Sequence, residues 1–173
     1  MRESPRGSAD PFQERLPRVL TPWSFLKRLR ASRFEQRRQE LRSYLEAATP
    51  VALRVDRLYR DWREAISDPV QDCQKAANVS AVYWWQVSDC LRTFGQLDPP
   101  APARRYHRLF AEALRSASLG SEIAKNGFRS NKFSEVSRGL GHLDRYLELM
   151  TEAETELSRL VKRYRLVDEP GAV

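Results

Sequence analysis

Residues 41–66 read LRSYLEAATPVALRVDRLYRDWREAI, and this stretch decides the fold. Leu41, Leu45, Ala48, Ala52, Val55, Tyr59, Trp62 and Ile66 follow one another in alternating steps of four and three. Such steps keep every one of these side chains on one side of a helix, in the manner of a coiled-coil seam. The pattern stays in phase across Pro50, so it predicts one long helix over about 34–67, kinked where proline removes a backbone donor. A separate helix starting at Thr49 is the alternative.

Working outward toward the C-terminus, Asp68-Pro69 supplies a cap followed by proline and predicts a second helix over about 70–95. Its expected seam is Cys73, Ala77, Trp84, Val87, Leu91 and Phe94, and Gly95 with Asp98-Pro99-Pro100 closes it. A third helix is expected over about 103–126, stopping at Gly127. Its seam is made of small residues: Ala113, Ala117, Gly120 and Ala124. Glycine inside a helix costs roughly 1 kcal/mol relative to alanine, so Gly120 implies another helix coming close. A fourth helix over about 131–166, capped by Ser130 or Asn131, carries Phe133, Val136, Leu140, Leu143, Leu147, Met150, Leu157, Leu160 and Tyr164 as its seam. Gly139 and Gly141 near its start would meet the end of the third helix in a tight hairpin. Four helices with short connections predict an all-α, antiparallel up-down-up-down four-helix bundle.

Toward the N-terminus, residues 1–21 read as a flexible tail, because Pro5, Pro11 and Pro17 sit among charged residues without apolar period. Thr21-Pro22 opens a short basic helix or arm over 22–33. A break is expected near Ala31 to Arg33. Without it, Arg30 and Arg37 would fall inside the arc of Trp23, Leu26, Phe34 and Leu41. Residues 167–173 read as a second tail.

The chain has 173 residues, 41% of them hydrophobic and 31% charged, which fits one helical domain with ion-laced outer faces. The longest apolar run, Ala81 to Trp85, falls far short of the roughly 20 residues a membrane-crossing helix needs. With no signal-peptide core at the start, the cytoplasm is the expected compartment, peripheral attachment to a membrane being the alternative. Cys73 and Cys90 fall on one predicted helix, about 25 Å apart, and cannot pair with each other.

No Glu-x-x-His occurs, and His107 and His142 stand alone on the third and fourth helices, so no di-iron or other metal centre is expected. Gly139-Leu140-Gly141 lies inside a helical pattern and reads as packing rather than as a phosphate loop. No nucleophile is presented on a sharp turn. The expectation is a chain that is not an enzyme and carries no cofactor.

Charge is the more informative signal. The net charge is +7, and the densest basic stretch sets Lys27, Arg28, Arg30, Arg33, Arg37, Arg38 and Arg42 against Glu35 and Glu40 alone. Arginine forks onto phosphates, so these residues form a predicted polyanion site, the alternative being a solvated helix face. Tyr83, Trp84 and Trp85 are consecutive and span about 200° of a helix, more than one seam can hide. With Trp84 on the seam, Tyr83 and Trp85 become the predicted partner surface, since exposed aromatics are enriched at binding hot spots.

Pro99-Pro100, His107, Leu109, Ala113, Leu114, the Asn126-Gly127 turn and the leucine-rich last helix together resemble a helical hairpin of uncharacterised bacterial helical-bundle proteins, often lipoproteins. The resemblance spans about residues 99–160 and implies a fold without an assigned activity. The function expected from all of this is a non-catalytic helical interaction or scaffold module that binds a protein partner or a second copy of itself. The alternative is binding of nucleic acid or an anionic membrane surface through residues 27–42.

Overall fold

The computed structural model describes residues 22–67 and 72–166, with side chains from Leu29 onward. The expected tails, the Asp68-Pro69 cap and the side chains of Lys27 and Arg28 lie outside the described residues. The described part consists of α1 (Pro22–Ile66), α2 (Cys73–Gly95), a 3-10 turn (Ala101–Ala103), α3 (Arg104–Arg129) and α4 (Phe133–Tyr164), with no strand among the described residues. The protein is all-α. The chain divides into two units, residues 1–35 and 36–173, and all the packing below belongs to the second.

α1 runs through Pro50 as one helix, and Leu41, Ala48, Val55 and Trp62 of its seam are buried, joined by Tyr44 and Val51. The break expected near Ala31 to Arg33 is absent, since the helix is continuous from Pro22. Its premise was a buried face reaching back to Trp23. Instead, residues 29–37 are exposed, so Arg30 and Arg37 meet water and nothing forces the helix to end.

α2 opens at Cys73 with Asp72 as its cap, whose Oδ1 accepts the Lys75 backbone N–H at 2.6 Å. Such a cap contributes about 1 kcal/mol. The buried line of α2 is Ala77, Ser80, Tyr83, Val87, Cys90 and Phe94, one residue away from the expected seam at its centre. Trp84 is half-exposed and lies under the Lys125 ammonium, 4.0 Å from the ring centre.

In α3 all four small residues, Ala113, Ala117, Gly120 and Ala124, are buried. The helix passes beyond Gly127 to Arg129, contrary to the expected stop. A Cβ on Gly127 would stand 2.7 Å from the Val136 backbone N, so this glycine serves packing. The chain turns at Asn131 instead, in the left-handed region at φ 52°. The Lys132 N–H donates to the Gly127 carbonyl at 2.9 Å and the Asn131 N–H to that of Phe128 at 3.3 Å, a Schellman closure in which asparagine takes glycine's usual place. Neither Ser130 nor Asn131 caps α4; its first residue is Phe133, after Lys132.

The buried line of α4 is Val136, Gly139, Leu143, Tyr146, Leu149, Ala153, Glu156, Leu160 and Tyr164. Phe133, Leu140 and Leu147 of the expected seam are exposed, Phe133 at 70%. The small stripe of α3 explains the difference. A Cβ on Gly120 would lie 2.7 Å from the Gly139 carbonyl oxygen, and one on Gly139 would lie 2.6 Å from the Gly120 oxygen. Backbone against backbone at this point turns Gly139 toward α3, and Leu140, one residue or about 100° further round, turns away.

Specific contacts join each helix to its neighbours. From α1 to α2, Arg54 meets Asp89 at 2.9 Å and Trp62 meets Ser80 at 3.2 Å. Ser88 meets Ser118 at 2.9 Å, and the Phe94 and Phe110 rings stand 4.6 Å apart, joining α2 to α3. Between α3 and α4, Gly127 faces Val136, Gly120 faces Gly139, the Ser116 hydroxyl donates to the His142 carbonyl at 2.9 Å, and Arg105 faces Glu156 at 3.7 Å. α4 returns to α1 through Tyr146 on Tyr59, ring centres 5.3 Å apart.

Candidate interaction surfaces

Tyr83 is 2% exposed, which corrects its expected place on a partner surface. Its ring stacks on Trp62 at 5.2 Å and 23°, and the Trp62 indole N–H donates to Ser80 Oγ. Burial pushes its phenol well above the ordinary range, with the nearby Tyr146 and Tyr59 phenols adding to it. The hydroxyl has no hydrogen-bond partner among the described residues. This side chain holds the core.

Trp85, two positions on, is 64% exposed, and Val82, three residues before it on the same face, is 58% exposed. Val82 also borders a groove of about 430 Å³ between α1 and α2, floored by Leu58, Trp62 and Val79 and rimmed by Asp61, Asn78 and Gln86. Val82 therefore stands in water at the edge of an apolar cleft with amide and carboxylate rims, and Trp85 stands in water about one turn further along the same helix. A partner's apolar side chains can enter that cleft while its polar groups find the rim.

A second groove, about 840 Å³, lies between α1 and the α2–α3 connection, lined by Gln36, Glu40, Ser43, Tyr44, Asp98 and Pro100 among others. Behind it, Tyr44 Oη and His107 Nδ1 are 3.0 Å apart, and the imidazole stacks on Phe94 at 4.6 Å and 18°. Burial, then the Arg115 charge, lower the pKa of His107, against a smaller opposing effect of Asp98. The balance favours the neutral imidazole. His107 and His142 are not brought together, and no group of three or more metal-ligating side chains gathers among the described residues.

The basic stretch separates into different roles. Arg30 and Arg33 belong to the first unit and Arg37 to the second, and all three are exposed with no hydrogen bond or ion pair among the described residues. Arg38, in contrast, donates to the Arg165 carbonyl at 2.9 Å, and Arg42 approaches the Leu166 carbonyl at 3.5 Å. These two satisfy carbonyls at the end of α4, where a cation also complements the helix dipole. They are part of the bundle rather than free members of a phosphate site.

Sequence reasoning found Trp85 but not Val82, whose exposure depends on how α2 turns against α1. Comparison with protein-family models, curated proteins and solved structures finds no match for the chain.

Proposed function

We propose that this chain is a non-catalytic interaction module, an antiparallel up-down-up-down bundle that docks a protein partner on the outer face of α2. The observation that carries the reading is the exposure of Trp85 and Val82 beside the α1–α2 groove. Leaving a tryptophan in water forgoes roughly 2 kcal/mol or more of burial, and tryptophan is enriched among the hot-spot residues that cluster near the centre of an interface.

The experiment compares the parent with Val82→Ser/Trp85→Ala, both carrying a photo-crosslinking side chain at Asn78, an exposed neighbour on the same helix. A defined crosslinked species should form with the parent and be lost with the double variant. The same species at the same yield from both would refute the reading. A species of twice the chain mass would identify the partner as a second copy.

The alternative, polyanion binding by the basic stretch, is favoured by Arg30 and Arg33, which are exposed with no hydrogen bond or ion pair among the described residues. It would act without Arg38 and Arg42, whose guanidinium groups already hold α4.

A further inference from the structure

Arg104, Arg108 and Arg115 follow one another in steps of four and seven along α3, which at 100° per residue keeps them within about 40° of one another. They form a row about 16 Å long on the outer face of that helix, with gaps of about 6 and 10 Å. All three are exposed, and none makes a hydrogen bond or ion pair among the described residues. Their neighbours behave differently: Arg105 faces Glu156, Arg145 bonds Glu148 and Arg159 bonds Glu156.

The row works against the fold that carries it. Arg104 and Arg108 are like charges at i,i+4, a spacing that costs a helix a few tenths of a kcal/mol. They also stand at the start of α3, where the first turn holds no acidic residue to complement the dipole. One acid, Glu112, stands within the row, four residues after Arg108 and three before Arg115, and forms no ion pair with either among the described residues. Glu122, seven residues past Arg115, is half-buried.

We propose that the outer face of α3 binds the phosphodiester backbone of a nucleic acid through Arg104, Arg108 and Arg115. This site is separate from the α2 surface and does not rest on the reading of it. A row of exposed guanidinium groups, without ion pairs among the described residues, suits a linear polyanion, onto whose phosphates each can fork. A lipid surface fits less well, because a helix lying on a membrane buries an apolar face, and here only Leu119 offers an exposed apolar side chain near the row among the described residues.

The test measures binding of the full chain to a fluorescein-labelled single-stranded DNA and, separately, to phosphatidylserine vesicles, across a salt series. Arg104→Gln/Arg108→Gln/Arg115→Gln is compared with Arg57→Gln/Arg63→Gln/Arg138→Gln, a control that removes the same charge from other exposed positions. The row variant should bind DNA about tenfold or more weakly at 0.1 M salt, and its slope of log affinity against log salt should shrink by about 2. The control should change little. Equal losses in both variants would reduce the effect to bulk charge and overturn the proposal, as would no DNA binding by the parent or full binding by the row variant. Loss of vesicle binding with DNA binding intact would assign the row to membranes and overturn it too. Circular dichroism should give the same helicity for all three proteins; a loss in the row variant would show that the arginines support the fold, contrary to the proposal.

Discussion

Adding a single methyl group at Gly120 and at Gly141 should change stability in opposite directions. Both glycines are helical, so replacement by alanine brings the same propensity gain of roughly 1 kcal/mol at each. At Gly141 nothing lies within 4 Å of the new Cβ, and the gain is realised in full. At Gly120 the Cβ would sit 2.7 Å from the Gly139 carbonyl oxygen, 2.9 Å from His142 Cβ and 3.1 Å from Leu143 Cγ. The nearest of these is backbone, so α4 itself must move. Overpacking of this kind costs about 1 to 3 kcal/mol, and the absence of any flexible side chain to yield puts Gly120→Ala at the upper end. The net expectation is a loss of about 1 to 2 kcal/mol for Gly120→Ala, a larger loss for Gly120→Leu, and a gain of about 0.5 to 1 kcal/mol for Gly141→Ala. Urea denaturation followed by circular dichroism, with unchanged m-values, reads all three. If Gly120→Ala were as stable as the parent, the backbone contact between α3 and α4 would be wrong, and with it the reason given for the orientation of α4.

Tyr83→Phe should be neutral or stabilising by up to about 1 kcal/mol, because the lost hydroxyl has no hydrogen-bond partner among the described residues, whereas Tyr44→Phe should cost about 1 kcal/mol by depriving His107 of its partner; paired denaturation curves decide. Arg38→Gln should lower the melting temperature through the lost contact with the end of α4, while Arg33→Gln should leave it unchanged in a thermal scan. Because the folded pKa of His107 lies below its unfolded value, the unfolded chain takes up the proton first; stability should be flat above about pH 7 and fall as pH drops below about 6.5, and His107→Gln should flatten that part of the profile.

The seams of α1 and α3 were legible because each offers one consistent line of apolar or small residues, and the close approach at Gly120 followed from glycine's cost in a helix. The orientations of α2 and α4 were less legible. In α2 three consecutive aromatic rings compete for the same interior, and the ring of Trp62, from another helix, selects Tyr83. In α4 an apolar line at Phe133, Leu140 and Leu147 is locally as good as the buried one, and the glycine pair with α3 decides between them. The roles of Arg38 and Arg42 were hidden for the same reason. Their partners are carbonyls more than 120 residues away, which no local pattern records.

The account rests most heavily on the α2 surface, and hydroxyl-radical footprinting of tryptophan tests it most directly. Trp85 should be oxidised readily in the purified chain and Trp62, buried in the core, should not. In intact cells Trp85 should become strongly protected, together with the peptide containing Val82, while Trp62 stays unchanged. Equal oxidation of Trp85 in the cell and in the purified chain would contradict the claim that this face docks a partner.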